Sequence, residues 1–383
     1  MRLRFRNILT IKYCIMKKVL FFALAAGVAL VACTKNEVRP VEVDQEITYQ
    51  TITTKAASAM DEGNHFISYT YFLEKDKKWD TDNDRNGASA YISAADISYD
   101  RQTKCWKAAS PYYWPKQGSL TFFAWSTNNA SPSVFAWDTN NESPSLTPNK
   151  PTCSTAKGIE VSSYDITANK NVDFLVAEIV KDQKQNTTTV GTWKAGVPTV
   201  FKHTLSKLAF QIQTVDNSGA AKDYSRESIK FNVKSITLKS VKNKLAYAQT
   251  WGTNTTPSGH KWSDITGTEQ IDVPVFTGDY PATSTATKLS KSDADYEIVI
   301  PQTFDSSDPT EDLLEIKYDI TTSYTGSDVV EHVTQTVKLS SVYPNNWEVN
   351  KFYTLLIKLS VNEIFWAPTV EEWEKVNATE QTF

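Results

Sequence analysis

The sequence predicts an all-β protein whose strands form antiparallel sandwiches. Several segments alternate between apolar and polar residues, for example Leu314 to Thr321, which would bury one face of a strand and leave the other wet. The composition is rich in Thr, Ser, Val, Tyr and Trp, which favour strands. Strand-like segments separated by turn-rich loops, without helical periods between them, are typical of sandwiches rather than of parallel α/β sheets.

An export signal is predicted before the first strand. Lys17 and Lys18 precede an apolar run from Val19 to Ala32, which gives the charged and apolar regions of a secretory signal peptide. A membrane-spanning helix needs roughly 20 apolar residues, and this run is shorter. We therefore expect a signal peptide at residues 1–32, of which 1–15 are an upstream mis-start.

The end of this run resembles the lipobox of bacterial lipoproteins. Leu30, Val31 and Ala32 precede Cys33, whose thiol would accept the acyl group, so Cys33 is the predicted lipidation site and residues 33–40 a lipidated tether. Several acyl chains anchor a protein stably, whereas one holds it only marginally. No aspartate follows Cys33, which favours the outer membrane. The alternative is an ordinary signal peptide with a coincidental cysteine.

The rest of the chain is long enough for two domains of ordinary size. The least strand-like stretch near mid-chain runs from Lys181 to Gly196. We therefore predict an N-terminal β-sandwich domain at 41–196 and a C-terminal β-sandwich domain at 197–383. Apolar residues occupy odd-numbered positions before Lys234 and even-numbered positions after Ser235. This parity flip further predicts a bulge or corner.

The clearest strands lie in both halves. Buried core strands are predicted at Leu120–Trp125 and Val172–Ala177, and half-buried antiparallel strands at Leu208–Ile212, Leu314–Thr321 and Tyr353–Val361.

No motif indicates catalysis, a cofactor or a metal. The four histidines do not lie at metal-binding spacing from one another or from a cysteine, and nucleotide-binding and hydrolase motifs are absent from the sequence. The aspartates of Asp80 to Gly87 fail the EF-hand template, so a polar hairpin turn at Asn86 and Gly87 is expected there. The net charge of −4 and pI near 5.7 lack the basic excess of nucleic-acid-binding proteins. We predict a non-enzymatic protein without cofactor, metal or nucleic-acid partner.

Two tryptophans are candidates for ligand contacts. Trp251 and Trp262 lie in polar, loop-like surroundings, and Trp faces are frequent platforms for sugars and protein interfaces. The alternative is that each packs over the end of a sandwich. Cys105 and Cys153 could pair in an oxidising compartment, and the sequence leaves this open.

Five strand segments occur in an order that resembles fimbrillin-like (Mfa-like, FimA-like) lipoproteins. They are Leu120–Trp125, Asp173–Ala177, Phe201–Leu208, Val299–Gln302 and Trp347–Thr354. The resemblance covers most of the chain after the lipobox. It implies a type V pilus subunit with two transthyretin-like β-sandwich domains in tandem, export as a lipoprotein, proteolytic maturation and polymerisation by strand exchange.

The resemblance also assigns roles to both ends of the exported chain. The N-terminal strand removed on maturation would lie in Val41 to Thr54, cut after a basic residue. Arg39 is followed by Pro40 and is a poor site, which leaves Lys55 as the next candidate. The donor strand would lie at 362–373.

In the donor candidate, Ile364, Trp366 and Val370 alternate beyond a parity change at Asn362, as if this segment served a different sheet. Pro368 would need a place that requires no ladder hydrogen bond. The alternative is a strand that closes its own domain.

The leading hypothesis is thus a structural or adhesive pilus subunit of the outer membrane and cell surface, whose partners are other pilus subunits or itself. The second is a monomeric surface lipoprotein that binds glycans or host proteins through aromatic loops. Stalk, tip and anchor roles stay open.

Overall fold

The chain folds almost entirely into β-strands, and the all-β prediction is confirmed. A computed structural model describes residues 44–51, 60–127, 150–169, 172–185, 196–251, 259–266, 270–289, 296–305, 307–343 and 346–373. The described strands all belong to one compact unit that starts at Glu46. Helical structure in these residues is limited to α1 (Asp82–Asn86), α2 (Leu339–Val342) and a 3-10 turn at Ser225–Glu227.

The strands follow one another in two groups. The first group is β1 (Tyr49–Thr51), β2 (His65–Leu73), β3 (Ser89–Asp100), β4 (Cys105–Ala108), β5 (Ser119–Ser126), β6 (Thr152–Ser154), β7 (Gly158–Asp165), β8 (Leu175–Ala177), β9 (Val180–Gln183), β10 (Val197–Thr199) and β11 (Phe201–His203). The second group is β12 (Ser206–Thr214), β13 (Ile229–Lys242), β14 (Lys244–Thr250), β15 (Gly259–Ser263), β16 (Gln270–Ala282), β17 (Thr287–Lys288), β18 (Glu297–Val299), β19 (Leu313–Tyr324), β20 (Ser327–Lys338), β21 (Lys351–Leu359) and β22 (Ile364–Glu372).

These strands form four sheets within the described residues. Sheet I has the order β10-β1-β4-β3-β2-β5-β8-β11, with β9 also paired to β5. Sheet II has the order β15-β14-β7-β6. Sheet III has the order β17-β12-β21-β22, with β18 also paired to β12, and sheet IV has the order β16-β13-β19-β20.

Three apolar cores lie on the faces of these sheets. The first core contains residues from both ends of sheet I, such as Tyr49 and Phe201. The second core uses the other face of β5 together with sheet II, for example Phe123 and Tyr247. Strand β5 is therefore buried on both faces, which explains its continuous apolar sequence. The third core lies between the inward faces of sheets III and IV.

Backbone pairing crosses the boundary predicted at residue 196. Strands β10 and β11 belong to sheet I, and β14 pairs with β7 from Lys244↔Asp165 to Ala248↔Glu160. The division into two tandem domains stays a prediction.

The structure corrects two details of the strand predictions and confirms a third. Strands β12 and β21 pair in parallel, from Lys207↔Phe352 to Thr214↔Leu359, although antiparallel strands were expected. Residues Asp82–Asn86 form helix α1 rather than a hairpin turn, because buried Arg85 donates to the Trp79 carbonyl at 3.1 Å and pairs with Asp82 three residues earlier. The predicted bulge in β13 is confirmed as a register shift between Val233 and Ser235.

Candidate functional site

Strand β1 occupies an interior position in sheet I. It pairs in parallel with β10 from Tyr49↔Val197 to Thr51↔Thr199, and on its other side Tyr49 pairs with Trp106 of β4. The Ile47 N–H donates to the Tyr112 carbonyl, and the Val197 N–H donates to the Thr48 carbonyl, both at 2.7 Å. We call Glu46–Thr51 the N-terminal strand segment. Backbone hydrogen bonds hold it on both sides.

The side chains of this segment complete the first core. Ile47 and Tyr49 are each only 3% exposed. The Tyr49 ring meets Phe66 and Phe122 edge to face, with centroids 5.4 and 5.9 Å away. Its hydroxyl shares a 2.9 Å hydrogen bond with Ser68, and burial raises the pKa of Tyr49 to about 12. Removing the segment would leave a groove lined by aromatic rings.

Gly196 packs directly against the backbone of this segment. Its φ of +76° lies in the left-handed region that favours glycine. A Cβ at this position would lie 2.7 Å from the carbonyl carbon and 2.8 Å from the amide nitrogen of Tyr49. The backbones therefore approach so closely that a side chain at residue 196 would displace β1.

Three predicted site residues lie outside the described part of the chain, namely Cys33, Arg39 and Lys55. Lipidation and processing at these residues stay predictions. Lys55 follows β1 in the sequence, so a cut after Lys55 would separate the whole N-terminal strand segment. A cut after Arg39 would leave that segment attached.

The candidate donor strand is β22, the edge strand of sheet III. It pairs antiparallel with β21 from Lys351↔Glu372 to Leu359↔Ile364. Ile364 and Trp366 pack partly buried against the third core, whereas Val370 is 44% exposed. Pro368 is accommodated on this edge strand, where proline is tolerated.

The parity change at Asn362 has a local cause. It falls in the turn Ser360–Glu363, closed by the Ser360 N–H donating to the Glu363 carbonyl at 3.0 Å. The segment therefore forms a hairpin with β21, and the parity change does not place it in a different sheet of this chain. Its role as a donor in assembly stays a prediction.

The end of β22 is fastened to its own chain by Trp373. The indole stacks on the His203 ring, with centroids 4.1 Å apart and planes 6° apart. The backbone N–H of Trp373 donates to the Asn350 carbonyl at 2.9 Å, and His203 Nδ1 lies 2.8 Å from an oxygen of Asp173. This contact was not predicted from the sequence. The only local indication was a tryptophan after the acidic pair Glu371 and Glu372.

Trp251 and Trp262 both pack against the second core. Trp251 meets the rings of Trp79 and Phe123 at 5.9 and 6.1 Å, and the Arg85 guanidinium lies 4.9 Å from its ring centre. Trp262 donates from Nε1 to the Thr204 carbonyl at 2.7 Å. These contacts agree with a packing role, and ligand binding by either residue stays a prediction.

We expect Trp262→Ala to lower the free energy of unfolding by about 2 kcal/mol, because the ring is partly buried between Tyr164 and Tyr247. Trp262→Phe should retain most of the packing and lose mainly the hydrogen bond, which contributes about 1 kcal/mol. Urea unfolding measures both. Unchanged stability together with lost glycan-array binding would contradict a packing role and favour the glycan hypothesis.

Within the residues that the structure describes, no group of three His, Cys, Asp or Glu side chains is arranged to hold a metal ion. None of the helices described there is long and apolar enough to cross a membrane. Cys105 and Cys153 are free thiols, and burial raises the pKa of the Cys153 thiol.

Comparisons with known proteins give a family and a fold. The family model described as fimbrillin-like matches residues 54–373. A fimbrial protein from Bacteroides vulgatus ATCC 8482 aligns at 16% identity with a TM-score of 0.58, over 86% of this chain and 99% of its own. A protein from Bacteroides uniformis ATCC 8492 with a proposed role in cell adhesion aligns at 15% identity and a TM-score of 0.45, over 86% and 100%.

The tip fimbrial protein Mfa3 from Porphyromonas gingivalis, in a C-terminally truncated form, aligns at 10% identity and a TM-score of 0.32, over 86% of this chain and 100% of its own. Of these three, the protein from Bacteroides vulgatus has the TM-score of a shared fold. A comparison with curated proteins found no match.

Proposed function

Because the chain belongs to the fimbrillin-like family, we propose that it is a structural or adhesive subunit of type V pili, exported as a lipoprotein and assembled by β-strand exchange. Membership in this family associates the chain with fimbriae at the cell surface, and the fimbrial protein from Bacteroides vulgatus shares its fold. Lipidation at Cys33 would hold the exported chain to the outer membrane before it is incorporated into a fibre.

The position of the N-terminal strand segment is the observation that supports strand exchange. It is interior to sheet I, and its two apolar side chains are buried in the first core. Its removal would leave unpaired backbone groups on β10 and β4 and would expose the rings of Phe66 and Phe122. A strand from another subunit could pair with these backbone groups and cover these rings, which is the physical basis of β-augmentation.

Strand β22 is the proposed donor. Its alternating residues Ile364, Trp366 and Val370 would supply one apolar face, and an edge strand can leave its sheet by breaking one ladder only. Release would also require Trp373 to unstack from His203. The acceptor would be another copy of this chain or another pilus subunit.

N-terminal sequencing and intact-mass measurement of the protein recovered from cells test this proposal. We expect a membrane-bound form that begins at lipidated Cys33 and a fibre-bound form that begins at Ala56, after a cut at Lys55. Electron micrographs of a deletion strain should lack the fibre. Fibres in which every subunit still begins at Cys33 would contradict maturation by removal of β1.

A further inference from the structure

Strand β20 is a long and regular edge strand. Its 12 residues pair with β19 without a break in register, from Leu313↔Lys338 to Tyr324↔Ser327. Among the described residues it ends sheet IV, and no described strand pairs with its outer edge. Val329 and Val330 are 56% and 44% exposed. An edge with these properties is a template for pairing with another chain.

The opposite edge of the same sheet is protected. Strand β16 contains Pro274 and Pro281, and its pairing with β13 is interrupted by three register shifts. Prolines and bulges are the usual means of preventing edge-to-edge association. Strand β20 has neither, so the two edges of sheet IV differ in their readiness to pair.

The residues of β20 alternate between two faces. The inner-face residues pair with β19 residues that point into the third core, and the outer-face residues pair with the solvent side of β19. The inner face carries Val329, Glu331, Val333, Gln335 and Val337, and the outer face carries Asp328, Val330, His332, Thr334, Thr336 and Lys338.

We propose that β20 pairs antiparallel with β20 of a second copy of this chain, about a two-fold axis at Val333. In this register Val333 faces itself, Val329 faces Val337, and Glu331 faces Gln335. On the outer face Asp328 lies opposite Lys338, and the symmetry forms this ion pair twice. On the inner face the valines therefore meet one another, and on the outer face opposite charges meet while Val330 lies opposite Thr336. Matched apolar and oppositely charged residues stabilise cross-strand pairs.

Neighbouring registers lose this complementarity. Pairing must keep residues of one face together, so the two-fold axis moves by whole residues. An axis at His332 places Lys338 opposite Gly326 and Asp328 opposite Thr336.

An axis at Thr334 places Lys338 opposite Val330 and Glu331 opposite Val337. An axis at Glu331 places that carboxylate opposite its own copy. The sequence of β20 thus favours a two-fold axis at Val333.

The two charged residues differ in their surroundings. Asp328 is exposed. Lys338 is half-buried, donates to the carbonyl oxygens of Asp305 and Glu311 at 3.2 Å and lies near the carboxylates of Asp305 and Asp308, so pairing with Asp328 requires its Nζ to turn toward the edge of the sheet. The contact would join sheet IV of two copies into one continuous sheet. It uses neither β1 nor β22, so it is a lateral association that is separate from strand exchange.

Charge reversal tests the proposed pairing. Asp328→Lys places lysine opposite lysine, and Lys338→Asp places aspartate opposite aspartate. Sedimentation equilibrium of the purified full chain should show a dimer for the unaltered protein and at least a tenfold weaker dimer, by rough estimate, for each variant. An equimolar mixture of the two variants should restore the dimer, because each ion pair then forms between unlike copies.

The mixture also separates the proposal from a folding defect. A variant that had lost its fold would not regain association on mixing, and the double variant Asp328→Lys/Lys338→Asp should dimerise alone. A dimer that persists in both single variants would place the contact on another surface and overturn the proposal. A monomer for the unaltered chain at about 100 μM, far above the Kd of a stable interface, would also overturn it.

Discussion

Cutting the chain after Lys55, once it has folded, is expected to convert a stable protein that does not polymerise into a species that does. A specific protease site introduced at residue 55 would allow this cut to be made in the purified protein. Loss of the N-terminal strand segment would expose the apolar sites that Ile47 and Tyr49 occupy. Burial of each of these side chains contributes about 1.5–3 kcal/mol to the free energy of unfolding. With the backbone hydrogen bonds also lost, we expect the free energy of unfolding to fall by about 5 kcal/mol. Urea unfolding of the separated fragment measures this change.

The polymer is checked by electron microscopy and by ladders on unheated gels. An excess of a peptide that spans residues 44–54 should refill the groove and suppress polymerisation. The same peptide with Ile47→Asp and Tyr49→Asp is the matched control and should have no effect, because neither carboxylate fits the first core. A cut protein that forms no polymer, with unchanged stability and with the segment released, would rule out a role for this groove in assembly.

Replacing Gly196 by alanine is expected to loosen β1 without any cut. The left-handed backbone conformation costs a residue other than glycine about 1 kcal/mol. Overlap of the new Cβ with the Tyr49 backbone adds about 1–3 kcal/mol, since backbone atoms cannot move aside as a flexible side chain can. The free energy of unfolding should therefore fall by about 3 kcal/mol in urea titrations.

Gly219→Ala is the matched control for this variant. Gly219 has a similar φ of +81°, but its added Cβ would meet nothing closer than the Phe365 ring at 3.8 Å. We expect it to cost only about 1 kcal/mol. In Gly196→Ala, hydrogen exchange at the Ile47 amide, which donates to the Tyr112 carbonyl, should also accelerate. Equal effects of the two variants would show that contact with Tyr49 contributes nothing.

Local strand formation in this protein is readable from the sequence because it depends on side-chain alternation. The periodic segment around Leu314 became β19, and the parity flip near Ser235 became a register shift in β13. Partner choice depends on contacts between distant residues, which alternation does not encode. The parallel pairing of β12 with β21 could not be predicted for this reason.

The candidate site was predictable in part. The N-terminal strand was expected within Val41 to Thr54, and β1 forms at Tyr49–Thr51. Its interior position depends on Trp106 and on Gly196, which are far from it in the sequence. The stacking of Trp373 on His203 could not be inferred either, because it joins the ends of two strands that belong to different sheets.

The pairing of β14 with β7 has a mechanical consequence for a protein in a surface fibre. Hairpin β14–β15 is inserted between stretches of the chain that build sheet IV, yet it completes sheet II with strands from the first half. Tension along the polypeptide is borne at this point by the backbone hydrogen bonds between β14 and β7 together, and not by an unpaired loop. Shear resistance of that ladder, rather than the strength of one link, would then limit the force that the subunit withstands.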